Sequence, residues 1–212
     1  MNINLKEIEN AFFSDGFKLG MNVCNSGFEP DALYSAVAEM YSSIDGFIEI
    51  LNSFAKQQEQ PVHCQKGCEW CCHQPVFAMQ YELDYLNYFI ENNFDESQKQ
   101  ALKTRADNKK NAFGFLTEQE LLNAKFPCPL LENGACIAYA ARPMACRIYL
   151  SSDVNSCLRF YKTPSGENSI PNLLNLPLRA GRMLNEGFKA ALKNNGFTAR
   201  EFRIEEKVGV NS

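Results

Sequence analysis

The clearest pattern of hydrophobic and polar positions lies between Pro30 and Gln57. Apolar side chains recur there at alternating spacings of four and three residues, which places them on one face of a helix. We therefore predict a long amphipathic helix that begins at Pro30, a residue suited to a first helical turn. Such a stripe can form a coiled-coil dimer, but we expect it to pack inside its own domain. The stripe consists of Leu33, Val37, Met40, Ile44, Phe47, Leu51 and Phe54.

Weaker patterns of the same kind predict further helices on both sides of this one. A short helix begins with Thr117 and Glu120, which form a capping-box pattern. The tail at 197–210 is expected to be extended, and the sequence shows neither repeats nor an alternation of strands and helices. We therefore predict a mainly α fold, a helical single domain over residues 1–212 with irregular cysteine-rich loops pinned by metal. The additional predicted helices cover residues 4–22, 79–93, 95–115, 117–124 and, starting at 171 or 176, up to 194.

Eight of the nine cysteines are concentrated in the central part of the chain, which is typical of a metal site. A C-x3-C-x2-C loop can wrap three thiolates around one centre, and Gly67 provides backbone freedom for that loop. Because adjacent side chains point in different directions, Cys71 and Cys72 are expected to serve different centres. The thiols then form either two four-cysteine sites, or one four-cysteine cluster plus a second ion that also uses His63 or His73. The predicted metal ligands are Cys64, Cys68, Cys71, Cys72, Cys128, Cys136, Cys146 and Cys157.

A disulfide framework is the alternative explanation for so many thiols, but it is typical of small secreted domains. The first sixteen residues lack a basic segment, a continuous apolar segment and a small-residue cleavage site, and no apolar run is long enough to span a bilayer. We therefore expect a cytoplasmic protein without a membrane partner, whose thiols stay reduced. Adjacent cysteines are also poor partners for structural bridges. Cys24, far from the other eight, is expected to be a small buried hydrophobic residue.

Length and charge change this picture little. The 212 residues, of which 45% are hydrophobic, can bury one substantial core. A net charge of -4 argues against a nucleic-acid partner, because phosphate binding needs concentrated Lys and Arg. The compact basic run at 103–110 is expected to be the solvated face of a helix. Metal ions are thus the partners that the sequence predicts.

Zinc and iron, the latter as an iron–sulfur centre, are the two candidate metals, because both favour thiolate ligands. Four thiolates on a divalent ion leave a net negative charge that nearby positive groups would have to balance. Pro143 at a helix start would direct the positive end of the helix dipole towards Cys146 and lower the pKa of that thiol. His63 and His73 are expected to support the site or to lie at the surface. The candidate positive groups are Lys66, Arg142, Arg147 and Arg159, for which ordinary pairing with carboxylates is the alternative.

The order of these motifs closely resembles the YkgJ-type cysteine-cluster family over about residues 61–160. The C-x3-C-x2-C-C sequence is followed by the motifs at 127–131, 134–136 and 139–147, and Cys157 comes last. Glu82 occupies the position of that family's usual acidic residue. The resemblance implies binding of zinc or iron through the cysteines, and it leaves the biochemical role open. The N-terminal and C-terminal helices flank this region.

Three functions remain possible on the sequence. The first is metal binding through the clustered cysteines, with the helices as a scaffold. The second is an iron–sulfur enzyme for redox chemistry or SAM-dependent methyl transfer, because flagellin lysine methylases resemble the cysteine pattern and Trp70 before Cys71 matches a radical-SAM cluster loop. In such an enzyme Tyr139, Arg142 and Arg147 would bind an anionic group.

The sequence does not decide whether the protein is an enzyme, since it shows neither a Gly-rich nucleotide loop nor a Ser/His/Asp triad. The third function is a metal-dependent interaction module or metal carrier. It predicts an exposed apolar patch on the helix at 33–54.

Overall fold

The computed structural model describes residues 4–59, 62–167 and 169–209. The predicted domain limits at 1 and 212, the start of the cysteine region at 61 and the end of the tail at 210 lie outside these residues. Helices dominate and the described strands are short, which confirms the mainly α fold class. No helix in the described part of the chain is both long enough and apolar enough to cross a membrane.

The elements of the described residues follow in chain order. The helices are α1 (Leu5–Asn25), α2 (Pro30–Gln57), α3 (Gln80–Asn93), α4 (Glu96–Phe113), α5 (Glu118–Asn123), α6 (Met144–Ile148), α7 (Val154–Lys162), α8 (Asn175–Asn194) and α9 (Ile204–Lys207). The strands are β1 (Phe77–Met79), β2 (Leu131–Glu132), β3 (Ala135–Cys136) and β4 (Glu201–Arg203), and short 3-10 turns cover Trp70–His73 and Tyr139–Ala141.

The helices of the first half form where the hydrophobic pattern predicts them. α2 has the predicted bounds, with Pro30 in its first turn. Asn4 caps α1, because its side chain accepts a hydrogen bond from the Lys6 amide at 3.2 Å. The capping box before α5 is also present: Thr117 N donates to the Glu120 carboxylate at 2.8 Å, and Glu120 N donates to Thr117 Oγ1 at 3.3 Å.

A first core joins α1, α2 and α8. The backbones of α1 and α8 are in direct contact, since a Cβ added at Gly187 would lie 2.0 Å from the Phe13 carbonyl oxygen. The apolar stripe of α2 packs in this core from Leu33 to Phe47, with Val37, Met40 and Ile44 fully buried, which confirms packing within the chain. The prediction that the stripe packs inside the domain is wrong for Phe54, which is 60% exposed because the last turns of α2 extend past the core.

A second core lies among α3, α4, the segment at 128–141 and α9. Tyr85 of α3 packs against both cores. The prediction of an extended tail is only partly right: β4 pairs antiparallel with β1, and α9 then turns Ile204 and Val208 into the second core. The tail therefore completes the part of the fold that carries the cysteines.

The segment at 131–136 is a tight β-hairpin between β2 and β3. Asn133 and Gly134 have φ values of 50° and 76°, the left-handed conformations that two-residue hairpin turns favour. The hairpin places Cys136 opposite Leu131. An Asn-Gly pair between two short strands is the sequence signal of such a hairpin.

Candidate metal centre

Seven of the eight predicted cysteine ligands line one cavity of about 330 Å³. They come from the loop at 64–72, the segment at 128–136 and α6. Cys157 does not line the cavity but lies on α7, which packs on the turn at Trp70–His73. The ring of Tyr161 on α7 lies 5.2 Å from the Trp70 ring and 4.8 Å from the His73 ring, measured between centroids. The fold thus gathers the eight thiols from distant parts of the chain into one region.

The loop that carries the first three cysteines is held by the segment at 149–151. Ser151 O accepts hydrogen bonds from the amides of His63 and Cys64 at 3.2 and 3.3 Å, and Ser151 N donates to Cys64 Sγ at 3.2 Å. Gly67 has a φ of +99°, a conformation that costs glycine little, and a Cβ at this position would meet no atom within 4 Å. The chain can therefore turn freely between Cys64 and Cys68.

Backbone hydrogen bonds hold the next cysteines beside this loop. Cys128 N donates to Cys72 O at 2.7 Å, and Phe126 N donates to His73 O at 2.8 Å. The hairpin then returns Cys136 to the same wall of the cavity, and α6 adds Cys146.

Electrostatic interactions divide the thiols into two groups. Burial raises the pKa of Cys64, and the thiols of Cys68 and Cys157 raise it further. Burial also raises the pKa of Cys68, where Cys157 is the strongest neighbouring thiol and Cys72 the next. Burial raises the pKa of Tyr149 to about 12, and the thiols that add to this effect are Cys157, Cys71 and Cys64. We call Cys64, Cys68, Cys71 and Cys157 the first thiol group.

The second thiol group consists of Cys72, Cys128, Cys136 and Cys146. Burial raises the pKa of Cys128 to about 12 and that of Cys136 to about 11, and Cys72 adds to both shifts. Burial raises the pKa of Cys146 well above its usual value, with the other three members as neighbouring thiols. A hydrogen bond with Cys71, followed by burial, raises the pKa of Cys72, so the two groups meet at this adjacent pair.

The expected lowering of the Cys146 pKa is wrong. Pro143 does precede α6, but this helix has five residues and its thiol is buried. Burial outweighs the charge of Arg142, which acts in the opposite direction. The free thiols of the second group are therefore neutral at neutral pH, and a metal would have to displace their protons.

The thiols are near one another without yet forming a coordination shell. Among residues 4–59, 62–167 and 169–209, no three His, Cys, Asp or Glu side chains lie close enough together to hold a metal ion as they stand. Coordination would draw the side chains inward, which is a change that loops and short turns allow more easily than long helices do. The donor set itself fits zinc and iron, since both accept four thiolates.

Arg147, one of the predicted positive groups, is buried and ties three segments together. Its guanidinium pairs with Asp45 of α2, donates to Ala140 O and, through Nε, to Arg142 O at 2.8 Å. It also stacks on the Tyr41 ring at 4.0 Å from the centroid. Arg147 thus pairs with a carboxylate, which was the alternative role for these arginines. Its hydrogen bonds to Ala140 O and Arg142 O fix the loop before α6.

Of the other predicted positive groups, Arg142 is the one on the cavity wall nearest the second thiol group. Its guanidinium lies 3.7 Å from the centroid of Tyr139, and its charge opposes the pKa rise that burial causes at two thiols of that group. Lys66 lies over the same ring at 5.6 Å. Arg159 is half-exposed and lies 3.5 Å from Asp153, in an ordinary surface pair.

Lys109 is a positive group that the sequence reading missed. The basic run at 103–110 was predicted to be solvated, but Lys109 is only 1% exposed. Its Nζ donates to Gln74 O at 3.2 Å, close to the cysteine loop. The spacing of Lys109 from its apolar neighbours is the signal that could have predicted its burial, because positions i, i+4, i+7 and i+11 share a helix face. The inner row of α4 consists of Leu102, Ala106, Lys109 and Phe113.

The two histidines and Cys24 lie outside both thiol groups. His63 is exposed, and its Nδ1 accepts a hydrogen bond from the first amide of α7 at 3.4 Å. His73 Nδ1 lies 3.1 Å from the Glu69 carbonyl oxygen. Cys24 packs against the first core, where its Sγ donates to a carbonyl of α8 at 3.7 Å. Cys24 is therefore a partly buried core residue, and His63 lies at the surface, one of the two positions expected for the histidines.

Glu82 links α3 to the segment that carries the second thiol group. Its buried carboxylate accepts hydrogen bonds from Met144 N at 2.7 Å, Met79 N at 3.0 Å and Tyr41 Oη at 3.1 Å. Burial raises the pKa of Glu82, and these hydrogen bonds oppose the rise. Met144 is the first residue of α6, so Glu82 fixes the start of the helix that carries Cys146.

We expect Glu82→Gln to lower the free energy of unfolding by about 2 kcal/mol, because hydrogen bonds to a charged group contribute about 1.5–3 kcal/mol and the amide would turn an N–H towards a backbone N–H. Urea unfolding measures the change. Glu91→Gln on the same helix is the matched control, since the Glu91 side chain is 63% exposed and its loss should cost less than about 0.5 kcal/mol. Equal effects of the two substitutions would contradict the role of Glu82.

The raised thiol pKa values predict that the metal-free, reduced protein loses stability in alkali. A thiol whose pKa is higher in the folded state stabilises the fold fully below its unfolded pKa, and this contribution is lost as the pH rises through the folded pKa. For Cys128 the window runs from 9.0 to about 12, with a slope of about 1.4 kcal/mol per pH unit. Urea unfolding between pH 9 and 11 should show a shallower loss in Cys128→Ala. A free energy of unfolding that stays level over this range would refute the prediction.

Comparison with known proteins supports the metal chemistry of this region. Residues 63–166 match the model of the CxxCxxCC family, whose description reads "Putative zinc- or iron-chelating domain". No curated protein and no solved structure matches the chain. The matched residues contain both thiol groups, Glu82 and Lys109, and they carry the resemblance seen in the sequence. Over residues 63–166 the chain is therefore similar to the CxxCxxCC family, whose description names the chelation of zinc or iron.

Proposed function

We propose that this protein binds metal at two centres, each held by one of the two thiol groups. The first thiol group forms the first centre and the second thiol group forms the second. Each centre takes zinc or an iron–sulfur cluster, because both are held by four thiolates. The α1, α2 and α8 core is the scaffold against which the cysteine region packs.

The mutual influence of the thiols on their pKa values, at one cavity, is what supports this proposal. Cys71 acts with the first group on Tyr149, and Cys72 acts on all three other members of the second group. The two sets meet at Cys71 and Cys72, whose thiols share a hydrogen bond, and Cys72 also acts on Cys68. One cysteine pair thus serves as the junction between two centres.

The state of the thiols favours metal over the other uses of cysteine. All nine cysteines are free of disulfides. Burial keeps the thiols of the second group protonated, and a protonated thiol is a poor nucleophile, so catalysis by a free thiol is disfavoured there. A metal that replaces the protons gains ligands that are already gathered in one place.

The test is the metal and acid-labile sulfide content of protein purified without oxygen, together with its absorption spectrum. Two zinc per chain without sulfide, or iron with matching sulfide and a visible band, supports two centres. Cys68→Ser and Cys136→Ser should each remove the metal of one centre, and the double variant should remove both. Cys24→Ser is the control and should keep all of the metal.

Two results would count against the proposal. The first is wild-type protein that binds no metal. The second is the complete loss of metal from either single variant, because that result would mean that the eight thiols share one centre.

An iron–sulfur enzyme is the second candidate, and the shape of the cavity favours it. Beyond the thiols, the cavity wall is mostly apolar, with residues such as Val76, Leu131 and Ile204, and Arg142 is its positive group. A small molecule with an apolar body and an anionic group could therefore lie beside a loaded centre. Redox chemistry or SAM-dependent methyl transfer would use such a pocket.

SAM binding to the iron-loaded protein, measured by equilibrium dialysis, tests this second candidate. A substrate pocket at the cavity would be supported if SAM binds, if Arg142→Met weakens this binding, and if Arg159→Met leaves it unchanged. The absence of SAM binding would remove the methyl-transfer function and leave metal binding untouched.

A further inference from the structure

Lys109 stands out from the rest of α4 because its charge is buried. The helix is polar, and the neighbouring lysines, Lys103 and Lys110, are exposed. Lys109 is 1% exposed and occupies a position of the inner row that an apolar residue would otherwise fill. Since burying an unpaired ammonium group costs much free energy, its surroundings must contain groups that stabilise the charge.

The ammonium group is fixed to the segment that follows Cys72 and lines the cavity through Gln74. Its one hydrogen bond within the described residues is to Gln74 O at 3.2 Å, and its Nζ lies 5.2 Å from the centroid of Phe113. Gln74 follows Cys72 by two positions, and Cys72 O accepts the hydrogen bond from Cys128 N. Because an ammonium group has three N–H donors, donors remain beyond the bond to Gln74.

The charge of Lys109 acts on the thiols of this segment. Burial raises the pKa of Cys128, and Lys109 is the strongest opposing influence. A hydrogen bond with Cys71 and burial raise the pKa of Cys72, and Lys109 opposes this rise as well. Arg142 has the matching effect on Cys136 and Cys146. Lys109 thus acts on two thiols of the second group and Arg142 on the other two.

A nearby carboxylate does not take up the charge of Lys109 alone. Glu205 of α9 is 2% exposed, and Lys109 is the strongest of the groups that lower its pKa, ahead of Arg203, whose guanidinium lies 3.1 Å away. Arg203 in turn pairs with Glu206 at 2.7 Å. These two cations and two carboxylates balance one another, and four thiolates on a divalent centre would add two negative charges near Lys109.

We propose that Lys109 is the counter-cation of the second centre, a positioning residue whose fixed charge and N–H donors stabilise the metal-bound thiolates of Cys72 and Cys128. This inference rests on the proposed two-centre function and adds a residue that the cysteine motif does not contain. It makes the two centres unequal, because the first thiol group has no comparable buried lysine among the described residues.

Chelator challenge of the metal-loaded protein tests this role. Lys109→Met keeps the length and apolar stem of the side chain, and Lys109→Arg keeps the charge. The chelator EDTA is added in increasing concentration, retained metal is measured by elemental analysis, and exposed thiols are alkylated with iodoacetamide and located by mass spectrometry. Lys110→Met, at the exposed neighbouring position, is the control.

We expect Lys109→Met to lose the metal of the second centre at an EDTA concentration about 10–100-fold lower than the wild type, as removal of groups that support metal ligands usually does. Alkylation should then appear at the second thiol group while the first stays protected. Lys109→Arg should restore most of the retention, and Lys110→Met should match the wild type. If the centre holds an iron–sulfur cluster, its reduction potential in Lys109→Met should also fall, because a nearby positive charge favours the reduced form.

Lys109 also acts on the buried Glu205 carboxylate, so metal-free Lys109→Met is expected to be less stable whether or not the lysine supports the centre. The pattern of alkylation separates the two roles, because a purely structural loss would expose both thiol groups alike. Wild-type retention in Lys109→Met, or equal loss from both thiol groups, would overturn the role of Lys109 alone. Wild-type protein without metal would overturn the proposed function, and this inference with it.

Discussion

Removal of metal from the loaded protein is expected to unfold the cysteine region while the first core stays folded. A four-cysteine centre contributes on the order of 10 kcal/mol to the folded state. The segments at 62–76 and 124–149 consist mainly of loops and short turns, so little regular structure would replace that contribution. The first core rests mainly on the long helices α1, α2 and α8, and from the cysteine segments only Met144 and Ile148 of α6 are among its buried residues.

Hydrogen exchange followed by mass spectrometry measures this effect before and after treatment with EDTA. Protection should be lost in the two cysteine segments and kept in α1 and α8. EDTA that has been saturated with zinc beforehand is the control for effects other than metal removal. Loss of protection throughout the chain would show that the two cores unfold together, and unchanged protection would show that the metal does not support the fold.

Gly187→Ala is expected to destabilise the protein by about 3 kcal/mol or more, at the upper end of the usual cost of overpacking. The added Cβ would lie 2.0 Å from Phe13 O and 2.9 Å from Phe17 N. Both are backbone atoms, so the clash is relieved only if α1 and α8 move apart. Gly16 and Gly20 make the same close approach from α1, which means that the whole contact would have to loosen.

Gly46→Ala on α2 is a matched control for this substitution. A Cβ at Gly46 would meet nothing within 4 Å, so alanine should stabilise the helix by about 0.5–1 kcal/mol. Since both substitutions bring the same gain in helix propensity, the difference between their urea unfolding curves isolates the contact between α1 and α8. Two variants of similar stability would contradict the close approach of these helices.

The elements that the sequence predicts well are those whose signals are local. The spacing of apolar residues and Pro30 define α2, and Thr117 with Glu120 defines the start of α5. The contacts between elements distant in the chain could not be predicted in this way. The glycines at the contact of α1 and α8 lie in different helices, and β4 pairs with a strand more than a hundred residues earlier.

The same distinction applies to the candidate site. The spacing of the cysteines was enough to predict the family and a metal site, because the thiols themselves carry the chemistry. Their grouping depends on how loops from several segments fold together, and the sequence left it open. Burial also reversed one inference: a helix start was expected to lower the pKa of Cys146, but desolvation dominates at that position. Lys109 was missed because a charged residue within a basic run is usually exposed.

α9 is synthesised after all eight thiols, although Ile204 at its start forms part of the wall around them. Ile204 follows Cys157 by 47 positions. At about 5–20 residues per second, the ribosome needs roughly 2–10 s to cover this distance. During that interval the full set of cysteines has been made while one side of their enclosure is missing. Metal that reaches the growing polypeptide would therefore find the cysteine cavity open on one side. Folding of α9 would then cover that side.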